Sequence, residues 1–134
     1  MTEAVRSLSK GRGDIPTGRT LTASEAAAYS GLTYRQVDYY ARTGLLVPSV
    51  QVAFGSGSRR LYHPRDVAIL SIIHDLRVNG MTLPGIRRAK NSLAEIDDDQ
   101  LFARDRIPEV CFSGSGVRVS MRKLSMAGGY LFGD

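Results

Sequence analysis

Two short segments near the start of this 134-residue chain begin with a threonine that is followed three positions later by Glu or Gln. At Thr22 and at Thr33, the threonine hydroxyl can accept the backbone N–H of the residue three positions later. The Glu or Gln side chain at that position can accept the backbone N–H of the threonine, which forms a capping box at the start of a helix. Gly31 lies between the segments and can adopt the left-handed conformation that ends a helix. The pattern predicts two short helices, over residues 22–30 and 33–43, joined by a tight turn as in a helix-turn-helix.

A β-hairpin is expected directly after the second helix. A Gly-Ser-Gly-Ser segment at residues 55–58 separates a stretch with Val50 and Val52 from a stretch with Leu61 and Tyr62. Short runs of strand-forming residues on both sides of a flexible loop are typical of two paired strands. A hairpin in this position would form a wing beside the helix-turn-helix.

Two more helices are predicted after the hairpin. Pro64 suits the first position of a helix, and apolar residues recur at helical spacing over residues 67–76. Thr82 can cap a fourth helix, whose apolar spacing fades near Ile96. We therefore expect a mainly α fold over residues 20–96: a winged helix-turn-helix of four helices with a β-hairpin wing.

The two ends of the chain differ from this middle part. Residues 1–19 are rich in Ser, Gly, Lys and Arg without apolar periodicity, which predicts a disordered basic arm. Residues 97–134 are predicted to form a small C-terminal appendage, either α/β or a β-hairpin, because apolar residues alternate on both sides of the turn at 113–116. A short helix over 122–127 and a last strand over 130–132 are also expected.

The positive charge is concentrated in one part of the chain. Residues 1–90 hold 13 Lys and Arg against 6 Asp and Glu, whereas residues 91–134 hold 5 against 7. A basic surface favours a polyanionic partner such as nucleic acid, although excess positive charge also serves simple solubility.

Composition argues against several other classes of protein. Cys111 is the single cysteine, which excludes an internal disulfide and a multi-cysteine metal site. Neither a phosphate-binding glycine loop nor an HExxH motif is present, so we expect no cofactor, no bound metal and no enzymatic activity. The sequence holds neither an apolar run of about 20 residues nor a signal peptide. We therefore expect a soluble cytoplasmic protein without membrane contact.

The order of these elements, together with a set of individual residues, resembles the MerR-type winged helix-turn-helix over residues 21–93. The residues that carry the resemblance are Thr22, Glu25, Ala27, Gly31, Tyr39, Tyr40, Gly44, Leu45, Leu46, Val47, Pro48, Arg60, Leu61, Tyr62, Asp66, Leu70, Leu76, Arg77, Gly80, Met81, Thr82, Leu83 and Ile86. The resemblance implies that the second helix enters a major groove of DNA while tyrosines and wing arginines hold the flanking backbone. It also implies that promoter DNA can be untwisted or bent for RNA polymerase.

Two departures from the family pattern affect what can be expected. Asp38 stands where the family usually has an arginine before the tyrosine pair, which removes a phosphate contact or supplies a helix-stabilising or partner-facing carboxylate. The family's long antiparallel dimerisation helix has no counterpart, because the helical pattern fades into Asp97, Asp98 and Asp99. Double-stranded DNA is thus the expected partner, RNA polymerase is a further candidate, and the assembly could be a homodimer or a side-by-side array on DNA.

The candidate DNA-contacting residues lie on the second helix and on the wing. They are Tyr34, Arg35, Gln36, Tyr39, Arg42, Arg59 and Arg60. Arg can pair with guanine and Gln with adenine in the major groove, although Gln36 also has the capping role. Tyr39 and Tyr40 face about 100° apart on a helix, so one should pack in the core and the other should hydrogen-bond a phosphate. The family resemblance implies that Tyr39 is the one that contacts the phosphate.

Three other residues that could carry chemistry have simpler interpretations. His63 is expected to cap the helix that follows it, and His74 to be a semi-buried structural residue. Cys111 lies in an alternating strand and is interpreted as a small hydrophobic residue.

Three functions remain open on the sequence. The first is a sequence-specific transcription regulator with the second helix in the major groove and the wing on the backbone. The second is an excisionase-like or architectural factor that uses the same motif to bend DNA or to stack along it. The third is an adapter or antirepressor that binds protein through the C-terminal hairpin.

Overall fold

The computed structural model of this chain describes residues 12–51, 60–114 and 116–123. A 3-10 turn at Arg12–Asp14 precedes ten regular elements. They are β1 (Leu21–Thr22), α1 (Ala23–Ser30), α2 (Tyr34–Arg42), β2 (Leu61–Tyr62), α3 (Pro64–Val78), α4 (Leu83–Arg88), α5 (Lys90–Glu95), α6 (Asp98–Leu101), β3 (Arg106–Ser113) and β4 (Gly116–Lys123). None of the helices in these described ranges has the length and apolarity that a bilayer-spanning segment needs.

Both predicted capping boxes are present at the starts of α1 and α2. The backbone N–H of Glu25 donates to Oγ1 of Thr22 over 3.2 Å, and the N–H of Thr22 donates to Oε1 of Glu25 over 2.9 Å. The same exchange joins Thr33 and Gln36. Gly31 ends α1 with φ = 86°, a conformation that a side chain disfavours, and a Cβ there would lie 3.0 Å from the His74 ring. The predicted helix-turn-helix is confirmed.

In the core, α3 packs mainly against α1, which in turn packs against α2. Helix α3 buries apolar residues around its circumference, among them Val67, Leu70, Ile72 and Ile73. His63 caps this helix as predicted, since its Nδ1 accepts the backbone N–H of the residue two positions later over 3.0 Å. Helix α3 also contacts β2 and β3, so the helix-turn-helix, the base of the wing and the C-terminal hairpin all pack on it.

The base of the wing pairs with the strand that leads into α1. Strand β2 is antiparallel to β1, with Leu21 opposite Tyr62, and both side chains are fully buried. Gln51 forms an antiparallel bridge with Leu61 through two backbone hydrogen bonds of 3.1 and 2.8 Å. This bridge fits the predicted hairpin, whose turn at 55–58 lies within residues 52–59, outside the described part of the chain. Strand β1 was not predicted, because two residues are too few to show an alternating pattern.

The structure divides the predicted fourth helix into α4 and α5. Ala89 ends one and begins the other, and its N–H approaches the carbonyl oxygens of both Gly85 (3.2 Å) and Ile86 (3.0 Å). The predicted apolar face nevertheless points inward, since Ile86, Ala89 and Leu93 are buried. Asp97 then caps the single turn of α6.

The C-terminal appendage contains the expected β-hairpin. Strands β3 and β4 are antiparallel, with Val110 opposite Val119 and the turn at Ser113 to Gly116. The hairpin packs on α4 and α5, and the N–H of Val119 donates to Oγ of Ser92 over 2.9 Å. A strand with one face against helices needs alternating apolar residues, which explains why its pattern was visible in the sequence.

Two predictions for the appendage are wrong. Arg122 and Lys123 do not start a helix, because they continue β4 opposite Ile107 and Arg106. Cys111 is exposed rather than packed as a small hydrophobic residue, because it lies opposite the exposed Arg118 on the solvent face of the hairpin, whereas Val110 and Val119 face the core. The rest of the predicted helix and the predicted strand at 130–132 lie outside the described residues.

The predicted disordered arm at 1–19 is wrong from Arg12 to Ile15, while residues 1–11 lie outside the described part. Arg12 and Ile15 are buried. The Arg12 guanidinium donates to the carbonyl oxygens of Leu101 over 2.7 Å and of Arg106 over 2.8 Å. These acceptors lie about ninety residues further along the chain, so the local composition could not indicate them. Arg12 therefore joins the N-terminal segment to the appendage.

Asp75 of α3 lies beside this buried arginine. Its side chain is 2% exposed, and neither carboxylate oxygen has a hydrogen-bond partner among the described residues. The nearest cation is Arg12, whose NH1 is 3.8 Å from Oδ2. Burial raises the pKa of Asp75 to about 7, and the arginine opposes that shift only in part.

We predict that Asp75→Asn removes part of the pH dependence of stability. A carboxyl group with a raised pKa in the folded state contributes stability that is complete below pH 4 and lost as the pH rises through 7. The free energy of unfolding of the wild type should therefore fall by about 2 kcal/mol more than that of the variant between pH 5 and pH 8. Urea denaturation at both pH values measures this difference, and equal changes in the two proteins would contradict it.

Candidate nucleic-acid interface

Helix α2 has one buried side and one solvent side. Val37 and Tyr40 are buried in the core, at 1% and 3% exposure. The solvent side carries five of the predicted contact residues, all exposed: Tyr34, Arg35, Gln36, Tyr39 and Arg42. The helix therefore presents a polar and cationic surface, while its apolar side is fixed against the rest of the protein.

The tyrosine pair divides as the helix geometry requires. Tyr40 lies in the core, where burial raises the pKa of its hydroxyl group, and Tyr39 is 42% exposed. The two rings are in edge contact, with centroids 6.2 Å apart and an angle of 61° between their planes. Tyr40 thus buttresses Tyr39 and leaves the outer ring accessible.

The first turn of α2 carries Arg35 and Gln36, which differ in whether their side chains already have partners among the described residues. Arg35 is exposed and has no ion pair or hydrogen bond within the described ranges. The carboxamide oxygen of Gln36, in contrast, accepts the N–H of Thr33 over 2.9 Å. Pairing of Gln36 with adenine would use that same oxygen and would compete with the cap. Arg35 is therefore the better placed of the two for reading a base.

A single carboxylate holds the two other arginines of the candidate set that the structure describes. Oδ2 of Asp38 accepts Nε of Arg42 over 2.8 Å, and its Oδ1 accepts NH1 of Arg60 over 2.5 Å. Hydrogen bonds from Arg42 and then from Arg60 lower the pKa of Asp38. Arg60 directly precedes β2, so this cluster ties the outer surface of α2 to the base of the wing.

Asp38 therefore has the helix-stabilising role that was one of its predicted alternatives. The pair with Arg42 spans one turn of α2, and such exposed pairs add only about 0.3–0.5 kcal/mol to a helix. The contact with Arg60 was not foreseen, because it joins residues 22 positions apart in the chain. Arg59, the neighbouring candidate, lies outside the described residues.

Two cations that were not among the candidates lie at the C-terminal end of α2. NH1 of Arg87 donates to the carbonyl oxygen of Thr43 over 3.3 Å, and Nζ of Lys90 donates to that of Gly44 over 2.6 Å. Cations stabilise the negative end of a helix dipole. The sequence showed basic residues on the outer side of the fourth helix but gave no sign that they approach α2. They extend the basic surface from α2 to α4 and α5.

The loop after α2 is fixed to the start of α3 by the buried carboxylate of Asp66. Oδ2 of Asp66 accepts the N–H and the hydroxyl of Ser49 over 2.9 and 2.8 Å, and the N–H of His63 over 2.9 Å. These three contacts hold both ends of the wing segment at the start of α3. The position of Arg60 relative to α2 is therefore set by the core as well as by Asp38.

Comparison with known proteins identifies the same part of the chain. A profile of MerR HTH family regulatory proteins matches residues 21–93. A protein of Mycobacterium tuberculosis, named as an uncharacterized HTH-type transcriptional regulator, is 47% identical over 70 residues, which cover 52% of this chain and 31% of the relative. A Mycobacterium bovis protein with the same kind of name matches equally. The chain thus spans about a third of the length of these curated relatives.

Two further proteins show similarity. The HTH-type transcriptional regulator CueR of Bacillus subtilis is 36% identical over 90 residues, covering 64% of this chain and 60% of the relative. The crystal structure of a MerR-family transcriptional regulator from Bacillus cereus aligns with a TM-score of 0.44 at 30% identity, covering 52% of this chain and 49% of the other. The profile match covers more than half of the chain and coincides with the helix-turn-helix, the base of the wing and helices α3 to α5. The chain therefore belongs to the MerR family of helix-turn-helix regulators, which are DNA-binding transcription regulators.

Proposed function

We propose that this chain is a sequence-specific transcription regulator that binds duplex DNA with α2 in the major groove. The observation that carries the proposal is the solvent side of α2, where Arg35 stands unpaired among the described residues beside Tyr34 and Tyr39. The major groove of B-DNA admits a helix and presents a distinct pattern of donors and acceptors for each base pair. A helix with an exposed guanidinium in its first turn suits that groove.

The proposed contacts divide into two kinds. Tyr34, Arg35 and Gln36 lie in the first turn and would face base edges, with Arg35 donating to O6 and N7 of a guanine. The phosphate contacts fall to residues further along the surface: Tyr39, Arg42, Arg59 and Arg60. Phosphate contacts set position and affinity but carry little sequence information.

Partners beyond DNA are also part of this proposal. RNA polymerase is the candidate protein partner of a regulator that acts at promoters, and such a protein acts in the cytoplasm. The family consists of regulators rather than enzymes, which agrees with the expectation that this chain catalyses no reaction.

The second candidate is an architectural factor that assembles side by side on DNA. The observation that favours it is the length of the helices, since the longest in the described ranges is α3 with 15 residues and those after it have six residues or fewer. None of them is long enough for an extended coiled coil between two copies. The two candidates share the same DNA contacts and differ in how copies are arranged.

We predict that Arg35→Ala and Arg60→Ala weaken duplex binding in different ways. Loss of a base contact costs about 1–3 kcal/mol and relaxes the preference at one base position, whereas loss of a phosphate contact lowers the salt slope by about one. Fluorescence anisotropy over a salt series, on single-base variants of the bound duplex, separates the two effects. Arg104→Ala is the control, because Arg104 is exposed and pairs with Asp14 on the N-terminal 3-10 turn. Unchanged affinity in both test variants would contradict the proposal and would favour a protein-binding adapter.

We predict further that the DNase I footprint keeps a fixed length as protein concentration rises. A regulator on a defined operator protects a set length, because its copies are bound to base-specific half-sites. The measurement is a titration from half saturation to a large excess. A protected region that lengthens with each added portion of protein would favour the architectural factor.

A further inference from the structure

The surface proposed to meet DNA contains one acidic side chain among its cations. Asp38 is the sole Asp or Glu in α2, and it lies on the solvent side together with Arg42. An acid at a DNA-facing surface opposes binding, because phosphates repel it. The contacts of Asp38 indicate what it does there.

We propose that Asp38 limits the affinity of this surface for DNA, because its carboxylate competes with phosphate for Arg42 and Arg60. The inference rests on the proposed function, since it concerns the same DNA-binding surface. Asp38 touches no base in this account, and it acts through the two arginines that it holds.

The geometry supports competition between the carboxylate and a phosphate. Each Asp38 oxygen accepts one guanidinium, at 2.8 Å from Arg42 and 2.5 Å from Arg60. Arg60 is covered, with 18% of its side chain exposed, whereas Arg42 is 58% exposed. The lowered pKa of Asp38 keeps its carboxylate ionised at neutral pH, so the cluster carries one net positive charge instead of two.

This competition weakens the contacts with phosphate and leaves the contacts with bases unaffected. An arginine that moves from Asp38 to a phosphate leaves the carboxylate to recruit a cation from solution. The affinity gained from counterion release therefore becomes smaller. Arg35 has no such partner within the described ranges, so its donors are available to a base without any exchange. Asp38 thus lowers the affinity for every duplex by a similar factor, while discrimination between base pairs is left to Arg35.

A purely structural role of Asp38 predicts the opposite result. If the carboxylate only fixed α2 to the base of the wing, its removal would leave Arg60 badly oriented. Binding to all duplexes would then decrease. The sign of the change on non-specific DNA therefore distinguishes the two roles.

The test compares wild type with Asp38→Asn, which keeps the shape of the side chain and removes its charge. Each protein is titrated over a NaCl series against two probes: a duplex that the wild type enriches from a random pool, and a scrambled duplex of equal length. At about 0.15 M NaCl the variant should bind the scrambled duplex roughly 5- to 10-fold more tightly, with a salt slope steeper by about one. Affinity for the enriched duplex should rise by a similar factor, because the same arginines contact phosphate in both complexes, so the ratio of the two affinities stays close to that of the wild type.

Two further variants serve as controls. Asp14→Asn changes the net charge equally and breaks the ion pair of Asp14, on the N-terminal 3-10 turn, with Arg104, so it should alter neither the salt slope nor the affinity for either duplex. Asp38→Glu retains the carboxylate and should bind both duplexes with affinities close to those of the wild type. Weaker or unchanged binding of Asp38→Asn to the scrambled duplex, or the same gain for Asp14→Asn, would overturn the inference. Wild-type protein that binds no duplex at low salt would instead overturn the proposed function itself.

Discussion

The burial of Val37 and Tyr40 determines which side of α2 meets solvent, and the rest of the account depends on that orientation. Both side chains lie in the core, and the carbonyl oxygen of Tyr40 accepts the N–H groups of Leu45 and Leu46 in the loop that follows. The capping box at Thr33 fixes the start of the same helix. Because its start, its buried side and its end are all constrained, α2 has a fixed orientation and keeps Arg35 and Tyr39 on its solvent side.

Charge on that surface is arranged in pairs. Asp38 offsets part of the charge of Arg42 and Arg60, while Arg87 and Lys90 donate to the carbonyl groups at the end of α2. These ion pairs and hydrogen bonds fix the positions of the cationic side chains, and Asp38 lowers the local positive charge of the surface. A second carboxylate, that of Asp75, lies in the core. Burial disfavours its ionised form, although Arg12 lies beside it and favours that form. Asp38 is thus proposed to limit binding to DNA, and Asp75 is predicted to make the stability of the fold depend on pH.

Features that depend on neighbours in sequence could be predicted. The two capping boxes, the His63 cap, the division between Tyr39 and Tyr40 and the alternation in β4 all follow from spacing within one or two turns or a single strand. The candidate surface on α2 followed for the same reason. The family resemblance then supplied the expectation that this helix faces DNA.

What could not be predicted depends on contacts between distant residues. The contacts of Arg12 with Leu101 and Arg106, of Asp38 with Arg60, and of Lys90 with Gly44 all form across the fold, and no local pattern marks them. The break at Ala89 was likewise hidden, because alanine has a high helix propensity and gives no stop signal.

The central claim is that α2 lies in the major groove with Arg35 at a guanine, and methylation protection by dimethyl sulfate tests it most directly. The reagent methylates guanine N7 in the major groove and adenine N3 in the minor groove. The account predicts that the wild type protects at least one guanine N7 within its site and that Arg35→Ala restores reactivity there. Protection confined to adenine N3, or guanine protection that persists in Arg35→Ala, would contradict it.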